Sequence, residues 1–140
     1  MGVQEELVEW CASYVTAFEA KDSAGIGMHW SFPSLILSKG QRFVFKSEDK
    51  FRANTDMLLS FYEVQGVTRV NRRVVSAMQM TDQAASMLVS DEMLNAAGDV
   101  LAAWAAAYTL QRIEGRYRAV MAAADGEVAA WAARGTPLSG

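Results

Sequence analysis

Few residues in this 140-residue sequence could carry chemistry, and their spacing is the first clue to what that chemistry would be. His29 is the single histidine, with an intrinsic pKa near neutrality that suits proton transfer. Asp91 and Glu92 stand together in the otherwise apolar run MLVSDEMLN, where a carboxylate needs a partner or a ligand. Arg72 and Arg73 form a basic pair upstream of them, and Tyr14 offers a phenolic donor near the N-terminus. A histidine and a carboxylate converging on one pocket would perform general acid–base work. A carboxylate held by a guanidinium would instead orient a polar group of a ligand. The bland alternative for His29 is packing between a helix and a sheet, with one ring nitrogen bonded to backbone. Trp30, Tyr62, Trp104 and Tyr108 are aromatic enough to line a pocket or simply to fill a core. One cysteine and one histidine cannot assemble a zinc site at the usual spacings, so no metal and no cofactor are expected.

The elements that must position these residues follow from periodicity. Val3, Leu7, Trp10, Cys11, Tyr14, Val15 and Phe18 recur at three- and four-residue steps, which predicts an amphipathic helix over residues 3–21. Asp22 or Ser23 caps a second, short helix reaching about His29, although Gly25 and Gly27 weaken it by about 1 kcal/mol each relative to alanine. FPSLILS and QRFVFK read as strands joined by a turn at Lys39 and Gly40. Ser47 caps a third helix, with Glu48 and Asp49 in its first turn, a buried face of Phe51, Leu58, Leu59 and Tyr62, and a stop at Gly66.

Beyond residue 67, VTRVNRRVVSAMQMT and AASMLVSDEMLNA read as two strands about a turn at Thr81, Asp82 and Gln83. Met78, Met80, Met87 and Met93 on them read as core or pocket lining. DVLAAWAAAYTLQRI and RYRAVMAAAD read as two more strands about Glu114 and Gly115. Alanine content favours helix over residues 100–112, whereas turn signals and aromatic flanks favour strand. EVAAWAARG closes the sequence as a short helix.

A three-residue turn at Thr81 to Gln83 would place Arg72 opposite Glu92 and Arg73 opposite Asp91. A two-residue turn would pair Arg73 with Glu92. In both registers a basic pair meets an acidic pair, a contact contributing roughly 0.2–1 kcal/mol. Strand alternation sends one of Asp91 and Glu92 inward and the other out, and a bulge would exchange the two sets.

Composition narrows the class. The length is that of one domain, residues 1–140, able to bury roughly 68–70% of its unfolded surface without a staple. Net charge of −3 argues against a nucleic-acid surface. The acidic start MGVQEELVEW lacks the order of a secretion signal, Glu6 stands where myristoylation needs Ser or Thr, and no apolar run spans a bilayer. With a lone cysteine, these features point to the cytoplasm. A hydrophobic content of 51% hints at additional buried surface, in a pocket or a dimer interface.

The order helix, short helix, hairpin, helix, four long strands resembles the nuclear transport factor two-like superfamily, which includes ketosteroid isomerase and the SnoaL-like cyclases. SYVTAFEAKDSAGIGMHW resembles its opening, and LQRIEGRYRAVMAA its closing hairpin. The resemblance implies an α+β cone, a curved and mostly antiparallel sheet wrapped around N-terminal helices, and it resolves residues 100–112 as strand. It implies a cavity with a mouth near His29 and dimers formed through the sheet, to which the small residues Ala103, Ala105 and Ala107 are suited. Ketosteroid isomerase uses an aspartate base with a tyrosine and a protonated aspartate as oxyanion donors. Tyr14 matches the tyrosine, but Ile36 or Leu37 stands at the base and Thr109 at the second acid, so isomerase chemistry is not expected.

The expectation is therefore a homodimeric domain that binds a small apolar molecule in its cone without catalysis. The alternatives are a cofactor-free enzyme using His29 with Tyr14 and Asp91 or Glu92, and a domain whose interior is filled. Trp30, Tyr62, Arg72, Arg73, Trp104 and Tyr108 are the expected ligand contacts.

Overall fold

Burial of one apolar stripe fixes the N-terminal helix. In the computed structural model, which describes residues 2–138, α1 (Val3–Glu19) buries Leu7, Trp10, Cys11, Tyr14 and Ala17 and turns its glutamates to water. Helix α2 (Ser23–Met28) starts where the Asp22 carboxylate accepts the Gly25 N–H at 3.0 Å, and His29 ends it. Strands β1 (Trp30–Ser38) and β2 (Gln41–Phe45) form the expected hairpin, with positive φ at Lys39 and Gly40, as two-residue hairpin turns require. Helix α3 (Glu48–Gln65) buries Phe51, Thr55, Leu59 and Tyr62, so Thr55 takes a buried place and Leu58 is only partly covered. Four long strands follow, β3 (Arg69–Thr81), β4 (Ala84–Leu94), β5 (Val100–Ile113) and β6 (Arg116–Ala123), and then α4 (Asp125–Arg134). α4 begins two residues before the stretch read as helical from sequence.

The six strands form one curved, unclosed sheet in the order β2-β1-β6-β5-β4-β3, antiparallel except for the β1–β6 pair. Helix α1 packs against β3, α4 against β5 and α2 against α3, which places the core between the sheet and the helices. β5 is a strand despite its alanines because it pairs on both edges, with β4 and β6. Its even residues Ala102, Ala106, Tyr108 and Leu110 are buried, while Ala103, Ala105 and Ala107 lie on the outer face.

β3 corrects the expected register. The turn is the two-residue one, with Thr81 opposite Ala84, but the pairing shifts between Gln79 and Thr81 and again between Val74 and Ser76. Each shift adds one residue to β3, and together they put Arg72 opposite Asp91 and Arg73 opposite Ser90. Glu92 faces Asn71, so a basic pair does not meet an acidic pair. Met87 and Met93 are buried as expected, but Met78 and Met80 are 58% and 50% exposed on the outer face. No helix among the described residues is long and apolar enough to cross a membrane.

Candidate functional site

The inward face of β3 and β4 supplies a charged pair inside an apolar core. Arg72 Nε donates to Asp91 Oδ1 at 2.7 Å and Nη2 to Oδ2 at 2.8 Å, while Nη2 also donates to the Tyr108 hydroxyl at 2.9 Å. The two side chains are only 7% and 1% exposed. Burial acts to lower the Arg72 pKa, but Tyr108 and Asp91 more than offset it and hold the guanidinium well above its ordinary value. Nη1 finds no acceptor. The guanidinium carbon instead lies 4.9 Å from the Tyr108 ring centroid and 5.3 Å from that of Tyr14, within cation–π range. The Cys11 thiol beneath is pushed up by burial, with Arg72 opposing the shift.

Tyr14 is held by α1, and its hydroxyl accepts the Trp30 indole N–H at 2.8 Å. Burial raises the pKa of Tyr14 and of Tyr108, so both phenols keep their protons near neutral pH. Together with Arg72 and Asp91 they border a chamber of about 100 Å³ whose walls include Trp30, Phe51, Trp104 and Ala106. A vestibule of about 240 Å³, bordered by Phe43, Met57, Phe61 and Val128, adjoins it. Ile36, Asn54, Leu58, Ala124 and Glu127 border both spaces and form the neck between them.

Glu127 is the chemical feature of that neck. Its Oε2 accepts a hydrogen bond from the Tyr62 hydroxyl and a second from Trp131 Nε1 at 3.2 Å, whereas no described residue donates to Oε1. Burial, helped by the charge of Asp91, pushes the Glu127 carboxyl up to about 7, against the opposing pull of the Tyr62 and Trp131 bonds and of Arg72. The carboxyl reaches the neck because α4 lies hard against β5 at Gly126. A Cβ there would stand 2.7 Å from the Ala105 carbonyl oxygen and 3.2 Å from Trp104 Cβ.

The structure thus brings Tyr14, Trp30, Tyr62, Arg72, Asp91, Trp104 and Tyr108 to one chamber. It leaves three of the residues singled out from sequence elsewhere. His29 borders a separate open groove on the outside of α1, and its ring is held at both nitrogens. Nδ1 donates to the Gly25 carbonyl at 2.8 Å, which leaves Nε2 to accept the Ser13 hydroxyl at 2.9 Å. Arg73 is exposed, and Glu92 accepts from Asn71 Nδ2 at 2.9 Å on the side of the sheet away from the chamber. Sequence reasoning missed Glu127. Its signal was the spacing to Trp131, one turn later on the same helix face. Among the described residues, no group of three or more His, Cys, Asp or Glu side chains is placed to share a metal ion.

Residues 4–127 match the family described as NTF2-like protein (DUF6841). No curated protein matches the sequence. Solved structures that share the fold include an NTF-2 like protein of unknown function from Shewanella oneidensis, at 11% identity and a TM-score of 0.68 over 85% of this chain and 95% of that one. A domain of unknown function with a cystatin-like fold from Nostoc punctiforme has 12% identity and a TM-score of 0.70 over 88% and 76%. A ketosteroid isomerase-like protein from Erwinia carotovora atroseptica has 18% identity and a TM-score of 0.64 over 86% and 92%. At these identities the likeness is one of fold.

Proposed function

Because the chain belongs to the NTF2-like family DUF6841, a fold that fixes no chemistry by itself, we propose that its function lies in the chamber, which binds a small and largely apolar molecule. The observation that carries this reading is the chamber itself. Aromatic and methyl walls adjoin an open vestibule, and the Arg72–Asp91–Tyr108 floor is locked by its own hydrogen bonds. Such a floor orients a ligand without spending its charge on it. The test is occupancy. Native mass spectrometry of the purified chain should find a retained small molecule, or indole should shift the NMR signals of Trp104 and Tyr108. Ala106→Phe, which fills the chamber, should abolish either signal. A wild-type chain that neither retains a molecule nor binds indole would leave a domain with a merely packed interior.

One observation favours a cofactor-free enzyme as the second reading. Glu127 faces the chamber with a pKa near neutrality, as a proton-transfer group needs. In that reading Glu127 carries the proton and His29, outside the chamber, has no part. A retained molecule would then exchange a proton for solvent deuterium on the wild type but not on Glu127→Gln.

We also infer that the outer face of the sheet pairs with a second copy. Val75, Met78, Met80 and Leu88 are exposed there beside Ala103, Ala105 and Ala107. The buried, unbridged Cys11 suits a reducing compartment such as the cytoplasm.

A further inference from the structure

We propose that the molecule the chamber takes carries a protonated amine, held at the neck by Glu127 and the aromatic rings that border it. This deepens the binding reading above and rests on it. Two carboxylates border the chamber, and they differ in what they have left to give. Both oxygens of Asp91 are taken by Arg72. Glu127 has both of its described donors on Oε2, and Oε1 receives none. No described lysine or arginine lies within ion-pair distance of Glu127, and the guanidinium of the chamber is already committed to Asp91. Among the described residues, the ionised form of Glu127 therefore has no counter-charge within ion-pair distance, a state that a cation on Oε1 would relieve.

The walls at that point suit a cation as well. Tyr62 and Trp104 border the chamber and Phe61 the vestibule, and all three rings contact Trp131, whose indole is bonded to Glu127. Aromatic faces beside a carboxylate form the usual surroundings of a bound ammonium. An acidic ligand would meet the charges of Asp91 and Glu127, and only Nη1 of Arg72 would be left to answer it, because Nε and Nη2 are bonded to Asp91 and Tyr108. A neutral ligand could at most donate a hydrogen bond to Oε1 and would bring no charge to it.

The groups facing Glu127 from the packed elements set the pH response. Tyr62 on α3, Trp131 on α4 and Arg72 on β3 favour the carboxylate, and Asp91 on β4 disfavours it. Lys39, in the β1–β2 turn, borders the same vestibule. An ammonium selects the carboxylate, so binding displaces the proton of Glu127 and tightens as pH rises through its titration.

The experiment compares benzylamine, benzyl alcohol, toluene and benzoate on the wild-type chain and on Glu127→Gln, by calorimetry or NMR titration. Benzylamine should bind the wild type at least about tenfold more tightly than the other three. That preference should vanish in Glu127→Gln, and wild-type affinity for benzylamine should rise between about pH 6 and about pH 8. Equal binding of all four, tighter binding of benzoate, or an amine preference that survives in Glu127→Gln overturns the assignment while leaving the chamber a ligand site. Failure of all four, with no retained molecule, removes the chamber reading and this one with it. If Glu127→Gln does not fold, the pH series on the wild type decides, and an affinity that is flat or falling with pH overturns the proposal.

Discussion

Asp91 and Arg72 can be removed together more cheaply than either can be removed alone. Each is enclosed, and the attraction between them offsets the cost of taking two charges out of water only while both are present. Asp91→Asn should destabilise the chain by about 3–5 kcal/mol in urea unfolding, because it strands a buried guanidinium. The double variant Arg72→Met/Asp91→Leu should lose less than either single variant. Glu127 gives the opposite kind of test. Its folded pKa of about 7 lies above the ordinary carboxyl value of 4.5, so the folded chain holds a proton that the unfolded chain has released. That contribution to stability is complete below the unfolded value and is lost as pH rises through the folded one. The wild-type melting temperature should therefore fall from acid towards pH 7 and beyond more steeply than that of Glu127→Gln, and the two curves should draw together in acid. His29→Ala removes the bonds to Gly25 and Ser13 and should cost about 1–2 kcal/mol while leaving indole binding unchanged. A loss of binding at preserved stability would put His29 back at the ligand. At this scale the sequence singled out seven residues that border the chamber, Tyr14, Trp30, Tyr62, Arg72, Asp91, Trp104 and Tyr108, but not Glu127. A glutamate in the first turn of a helix reads as a partner of the macrodipole, and only the packing of α4 on β5 turns it inward.

At the scale of elements, local signals were enough wherever an element is stabilised locally. The three-four spacing found α1, turn residues found the β1–β2, β3–β4 and β5–β6 hairpins, and Gly66 marked the end of α3. What was not legible depends on neighbours. Alternation along β4 points Asp91 inward and Glu92 outward, but the two register shifts in β3 decide that Arg72 stands opposite Asp91, and no residue of VNRRVVSAMQM announces a bulge. The alanines of β5 favour helix by propensity, and only pairing on both edges makes them a strand. α4 depends on one glycine. Gly126→Ala would drive a methyl group into the Ala105 carbonyl, and because that carbonyl belongs to a central strand, the helix must yield. The variant should lose about 1–3 kcal/mol of stability. It should also move the Trp131 indole N–H resonance, which reports the bond to Glu127. An unmoved resonance with full stability would mean that α4 does not depend on this close approach.

At the scale of the whole molecule the sheet has two faces that differ in their side chains. The inner face makes the chamber, while the outer face presents Ala103, Ala105 and Ala107 beside Val75 and Leu88, the last two 43% and 39% exposed. Methyl groups would let a second sheet approach to the ordinary packing distance of about 10 Å, and larger exposed side chains would add apolar area to the proposed contact. The two alternating sets could be read from the sequence of β5, but which set faced inward depended on the sheet's curvature over the helices. In solution the chain should sediment as a species of twice its own mass. Leu88→Lys and Ala105→Lys, each placing a charge within the proposed contact, should sediment at the single mass with unchanged circular dichroism. A wild-type chain that stays at single mass across the micromolar range would refute the pairing. Because this surface lies on the opposite side of the sheet from the chamber, the lysine variants should bind indole as the wild type does. A loss of binding on dissociation would mean that the second copy holds the chamber in shape.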